Sequence, residues 1–184
     1  MIETITTHVF DLLETDPRLI AGGSAWAEGF AGVRRIANGD AAAAGCVNLF
    51  DHVEDDDANT ARPAIYCGAK SLELEDRLES WSLSGSAART EYRLLTVPLM
   101  LVCTGSGYLI AKRQRNQLLA NVRSIMMDHL VEPGYWFEQM APGAAAGGDA
   151  REALNSSAAG GSEARSGAAY PLVIRYSLGS TSFA

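Results

Sequence analysis

Residues that bind metals or carry redox chemistry are scarce in this 184-residue chain. Histidine occurs only as His8, His52 and His129, far apart in sequence. Cysteine occurs only as Cys46, Cys67 and Cys103. There is no C-x-x-C and no H-x-x-x-H pair, which excludes a zinc site of ordinary ligand spacing. Cys67 and Cys103 lie inside apolar extended runs and read as small buried hydrophobes in a reducing compartment. The phosphate-cradling motif G-x-x-x-x-G-K-[ST] is missing. Gly105 and Gly107 follow a strand pattern but lack the third glycine of a dinucleotide fingerprint. No G-x-S-x-G nucleophile elbow is present. The longest dense apolar run, Leu94 to Cys103, is too short to span a bilayer. The N-terminus carries acidic Glu3 and no basic-then-apolar pattern, so no signal peptide is expected there. The expected compartment is a cytoplasm.

Positive charge is also in short supply. Fifteen Lys and Arg stand against 22 Asp and Glu, for a net charge of −7 and a pI near 4.9. Wrapping nucleic acid needs clustered cations to neutralise phosphates, so this balance disfavours it. The same charge keeps a subunit soluble before it meets a partner.

What is present reads as one α+β domain over residues 1–184. Ile2, Ile5, Val9, Leu12 and Leu13 form one stripe of a helix, which Asp16-Pro17 ends. Residues 18–45 contain the breakers Gly22-Gly23 and Gly39-Asp40 and read as loop-rich, with room for a short helix. Cys46 to Phe50 and Ala64 to Gly68 read as short strands. Residues 71–88 read as a polar connection. Thr90 to Thr104 is the strongest strand signal. Its second half is apolar on both faces, as in a strand covered on both sides. Pro98 inside it predicts a bulge or an edge position, because proline cannot donate to a ladder. Residues 112–131 predict a second helix, with Leu118, Leu119, Val122, Ile125, Met126 and Leu130 on its apolar face. Tyr135-Trp136-Phe137 opens another extended piece. Residues 141–169 are nearly all Ala, Gly, Ser and charges and predict a long flexible loop, since they offer little apolar area to offset ordering entropy. Pro171 to Leu178 alternates as a final strand. The expected fold is a single small mixed or antiparallel sheet packed against two helices, with long flexible loops.

Candidate chemistry is thin. His52 lies among Asp51, Glu54, Asp55, Asp56 and Asp57, an oxygen-rich run that could hold calcium or magnesium weakly. Neither a bending glycine nor a closing glutamate makes it an EF-hand loop, and a solvated acidic surface for a basic partner is the plainer reading. Glu73 and Glu75 form an acidic pair in a polar stretch. Lys112-Arg113-Gln114-Arg115 places cations at a predicted helix start, where negative charge is preferred. That misfit suggests an acidic neighbour or DNA in a channel, besides a simply solvated helix start. Trp26, Trp81 and Trp136 are candidate interface anchors, and Trp136 is equally a core candidate. No catalytic, cofactor-binding or metal-binding residue is assigned.

The ordered pattern resembles the tail terminator family of long-tailed bacteriophages, also called minor tail or tail completion proteins. The matching pieces are the Ile2–Leu13 helix, Val47-Asn48-Leu49-Phe50-Asp51 and Arg62-Pro63-Ala64-Ile65-Tyr66. The Tyr92–Val102 strand, the Leu118–Leu130 helix and Leu172-Val173-Ile174-Arg175-Tyr176 complete the set. The match spans residues 1–14 and 46–178, and the chain departs from it in 15–45 and 141–169. The resemblance implies a non-enzymatic homo-oligomeric ring, typically of six copies, in the virion tail or neck. Such a ring is assembled in the host bacterial cytoplasm, caps the tail tube protein and presents a face to the head–tail connector, with passing contact to DNA and none to a membrane. The alternatives are another connector or neck subunit, often in twelve copies, and a cytosolic enzyme on an unfamiliar scaffold.

Overall fold

A computed structural model describes residues 2–20, 31–36, 40, 43–50, 63–67, 75–83, 89–129, 131–132, 135–137, 151–157 and 164–179. The first helix, α1, runs Ile2–Thr15 and buries Ile5, Val9, Phe10, Leu12 and Leu13. The apolar spacing of three and four puts these side chains on one face. Asp16 ends α1 and caps a 3-10 turn, Pro17–Leu19, by accepting the Arg18 backbone N–H at 2.8 Å. Proline favours such a start because its missing N–H would have had no helical partner.

The strands are β1 (Val33–Ile36), β2 (Val47–Phe50), β3 (Ala64–Cys67), β4 (Glu75–Leu83) and β5 (Arg89–Gly105). After the second helix, α2 (Tyr108–Asp128), come β6 (Val131–Glu132), β7 (Tyr135–Phe137), β8 (Arg151–Ser157) and β9 (Ala164–Gly179). These nine strands of the described residues join one mixed sheet with the path β1-β2-β3-β5-β9-β7-β6, while β4 pairs β5 and β8 pairs β9 off that path. The β1–β2 and β2–β3 ladders are parallel, and the rest are antiparallel. The fold is therefore α+β, with two helices on a mixed sheet, as the sequence predicts.

The long β5–β9 ribbon organises the sheet. On its outer flank β5 meets β4 along residues 89–96 and β3 along residues 99–102. On the other flank β9 meets β8 along 164–169 and β7 along 174–176. Pro98 faces Pro171 across the ribbon. Each proline thus lies where its strand changes outer neighbour, so its missing N–H takes no bond from an outer ladder. The expected bulge at Pro98 does not occur, because the β5–β9 register is continuous through it, and β5 is an interior strand.

Alternation along the ribbon separates two cores. Leu95, Val97, Leu99, Leu101 and Cys103 of β5 join Leu172, Ile174 and Tyr176 of β9 beneath both helices. Met100 and Val102 point the other way, to Phe50, Tyr66, Ile36, Ala64 and Ala169. Phe50 and Tyr66 stack there with ring centroids 4.7 Å apart. The second half of β5 is thus covered on both faces, as its composition predicts. Helix α2 leaves β5 through a tight approach. A Cβ on Gly105 would lie 2.8 Å from the Ala111 backbone nitrogen, so the strand end and the first turn of α2 need a glycine there.

Four further expectations are corrected. The polar stretch 71–88 contains β4, and the loop-rich stretch 18–45 contains β1. The segment 141–169, read as one flexible loop, contains β8 and the first six residues of β9. Its small residues are drawn into the sheet by backbone pairing to β9 and β5, a contribution that apolar area does not measure. Helix α2 begins at Tyr108 rather than 112, so the basic cluster lies in its second turn and beyond.

The 3-10 turn is tied to α2 by Arg18. Its guanidinium donates to Asp16 Oδ1 at 2.9 Å, to Asp16 Oδ2 at 2.6 Å and to Ser124 Oγ at 2.9 Å, and it also pairs with Asp128. Asn121 Nδ2 donates to the Arg18 carbonyl at 2.6 Å. The Arg18 guanidinium holds the Asp16 carboxyl below its ordinary value of 3.8. A depressed carboxyl stabilises the fold above its unfolded pKa and loses that contribution as pH falls through the folded one. Asp16→Ala is expected to cost about 1–2 kcal/mol at neutral pH through the lost cap and ion pair. Unfolding midpoints measured against pH should show the gap to wild type narrowing below pH 3.8.

Candidate interaction surface

Two clusters of large apolar side chains lie exposed among the described residues. The first is on β4, where Leu78 is 44% and Trp81 56% exposed. Leu78 is opposite Arg93 and Trp81 opposite Glu91 in the β4–β5 ladder. Among the described residues β4 pairs with β5 alone, so its outer edge is a sheet edge. A register shift between Leu78 and Ser80 leaves Glu79 as the extra residue. Such bulges are a common device on edges, because they interrupt the flat template that promiscuous pairing needs.

Polar contacts hold β4 on the ribbon. Arg93 Nη2 lies 2.9 Å from Asp76 Oδ2, and Tyr176 Oη donates to Asp76 Oδ1 at 2.9 Å. Arg93 Nη1 also reaches Glu91 at 3.2 Å. At the bulge, Glu79 accepts from Arg175 Nη2 at 2.6 Å. The Arg93 guanidinium is held above its ordinary range, chiefly by its hydrogen bond to Asp76. Burial, then the bond to Asp76, pushes the Tyr176 phenol up. These shifts arise from groups that fasten β4 across β5 to β9, and the arrangement is structural pairing.

The second cluster is the first turn of α2, where Tyr108 is 38%, Leu109 69% and Ile110 43% exposed. The cations predicted to matter sit just beyond it. Lys112 Nζ lies 5.8 Å from the Tyr108 ring centroid, a cation–π distance. Arg113 is exposed. Arg115 behaves differently: it is buried, donates to the Gly167 carbonyl at 3.1 Å and reaches Asn116 Oδ1 at 2.7 Å. The structure therefore divides the basic cluster into one cation that holds α2 to β9 and two near the surface.

The other candidates are scattered. Trp81 is an exposed anchor candidate, Trp136 lies on β7, and Trp26 falls outside the described residues. His8 packs edge-on to Tyr135 at 5.8 Å between ring centroids, and His129 closes α2. Cys103 is buried opposite Ser166, Cys46 is partly exposed, and Cys67 ends β3. Glu75 opens β4. The acidic segment 51–57 with His52, and Glu73, lie outside the described residues. Among the described residues no three His, Cys, Asp or Glu side chains are grouped to hold a metal ion. No described helix is long and apolar enough to cross a membrane. The surface position of Leu109 and Ile110 was missed by sequence reasoning. Their signal was a pair of large aliphatic residues directly after the Gly105-Ser106-Gly107 break. A scan against protein-family models and a search of curated proteins find no match to this chain.

Proposed function

We propose that this chain is a structural subunit of a bacteriophage tail terminator ring, which caps the tail tube and joins it to the head–tail connector. The observation that carries the reading is the pair of exposed apolar clusters on β4 and α2, at opposite ends of β5. Large apolar side chains clustered at the surface favour association with another protein. Two different patches far apart suit head-to-tail contact between identical subunits, which closes into a ring when the rotation allows. The order of elements, from α1 through the β5–α2 unit to β9, adds the family resemblance. The role asked of the chain is binding: copies of itself, the tail tube protein and the connector protein, in the virion tail or neck. DNA passing through such a ring would meet Lys112 and Arg113 of α2.

The test is the mass of the purified protein across a concentration series, by native mass spectrometry or light scattering, with and without tail tubes. Six copies, or a monomer that becomes six on tubes, is the expected result. Twelve copies would move the assignment to a connector. A monomer or dimer indifferent to tubes would overturn the proposal.

A further inference from the structure

Past its first turn, α2 shows the solvent one continuous stripe. Arg113, Asn116, Ala120, Arg123 and Met127 follow at helical spacing and are all exposed. At about 100° per residue they fall within a sector roughly 80° wide, and the two arginines stand about 15 Å apart along the axis. The helix itself gives these arginines no countercharge. Its positions one turn away from Arg113 hold Leu109, Ile110, Asn116 and Gln117, and those around Arg123 hold Leu119, Ala120, Met126 and Met127. Asp128, the one acid of α2, is held by Arg18.

Elsewhere the chain commonly seats arginine on a carboxylate, as at Arg18, Arg35, Arg93 and Arg175. Acids outnumber Lys and Arg by 22 to 15. Even so, among the described residues Arg113 and Arg123 make no ion pair. Partial burial pushes the phenol of Tyr170 up, against the pull of Arg123, so this neighbour is neutral. The chemistry of the stripe narrows what can cover it. Two copies of α2 laid face to face, parallel or antiparallel, bring arginine onto arginine. In a second copy Asp11, Asp16, Asp76, Glu79 and Glu91 already hold arginines. A lipid surface needs a broad apolar stripe, and Met127 is the one large apolar side chain here. Duplex nucleic acid asks for more cations than these two, in a chain of net charge −7. Separated carboxylates on a protein surface fit, because each guanidinium can take one through two parallel N–H bonds. Ala120, small and between the arginines, lets such a partner come close.

We infer that the outward stripe of α2, from Arg113 to Met127, is a docking face for an acidic segment of a different protein, with Arg113 and Arg123 each receiving a carboxylate. This goes beyond the ring reading and does not depend on it, since that reading rests on β4 and the first turn of α2.

The test titrates the full chain, by fluorescence anisotropy, into three labelled probes. These are a helical peptide with two glutamates spaced to match Arg113 and Arg123, its twin with glutamine in their place, and a short DNA duplex. The variants are Arg113→Glu, Arg123→Glu and, as a control for net charge, Arg77→Glu on β4. All three positions are exposed, and circular dichroism checks that each variant stays folded. The acidic peptide should bind and its glutamine twin should not. Arg113→Glu and Arg123→Glu should each weaken the acidic peptide about fivefold to tenfold, and Arg77→Glu should leave it unchanged. No binding of the acidic peptide, or equal losses in all three variants, would overturn the inference. DNA that binds in preference to the peptide, through the same two arginines, would give the face to nucleic acid instead. Self-association of the wild type that only Arg113→Glu and Arg123→Glu abolish would give it to a second copy. A chain that stays monomeric on tail tubes, yet binds the peptide as expected, would overturn the ring reading alone.

Discussion

Replacing Leu118 with alanine is expected to lower the unfolding free energy by about 3 kcal/mol. Leu118 is fully buried on the inward face of α2, in the cluster shared with β5 and β9. Truncation removes its transfer free energy and leaves a cavity. Val122, Ile125, Leu99 and Ile174 of the same cluster belong to three stiff elements, α2, β5 and β9, and cannot collapse far into it. The check is urea unfolding, in which the midpoint should fall while the slope stays that of wild type. Leu109→Ala, on the same helix but 69% exposed, should change stability by less than about 0.5 kcal/mol. Equal effects at the two positions would mean that α2 is not oriented with Leu118 inward.

Asn48→Asp is expected to be at least as damaging, by about 3 kcal/mol at neutral pH, although it changes one atom of the side chain. Asn48 is completely buried in β2. Its Oδ1 accepts the Ala43 N–H at 2.8 Å, while Nδ2 donates to the Ala43 carbonyl at 3.1 Å and the Cys46 carbonyl at 3.2 Å. The side chain thus closes the turn before β2, in which Gly45 takes a φ of 73°. A carboxylate keeps the acceptor but turns both donor contacts into oxygen facing oxygen, in a site without solvent. Burial and the two carbonyls would raise the new carboxyl's pKa. Its neutral form is therefore tolerated below the unfolded value of about 3.9, and the penalty grows as pH rises through the folded one. Denaturation at a series of pH values should show this variant approaching wild type in acid. Asn48→Ala, which adds no charge, should cost about 2 kcal/mol and show no such trend. A flat pH profile for Asn48→Asp would mean that the site is solvated.

Local periodicity carried much of the architecture. The stripe Ile5–Val9–Leu12–Leu13 makes α1, the Leu118–Val122–Ile125 stripe makes α2, and the alternating Leu172–Ile174–Tyr176 makes the end of β9. Each of these runs buries one face against a large core, so the burial pattern is printed in the order of the residues. The doubly apolar run in β5 likewise marked a strand covered on both sides. The remaining strands were not legible for a physical reason. Strand β4 is exposed along most of its length, and the Ala164–Ala169 stretch of β9 is made of small residues. What holds them is backbone pairing to a long neighbour far away in sequence, and a ladder bond leaves no mark on side-chain composition. The same holds for the surface and for the buried polar groups. Which cation of Lys112, Arg113 and Arg115 turns inward is decided by the Gly167 carbonyl, which β9 brings to α2. Whether Asn48 is a surface residue or a buried clasp is decided by the turn folded against it. The sequence by itself determined two helices, a central long strand and an acidic chain without a recognisable catalytic motif. The tertiary structure alone decided where the sheet ends and which apolar groups are left in water, because both depend on contacts between residues that are distant along the chain.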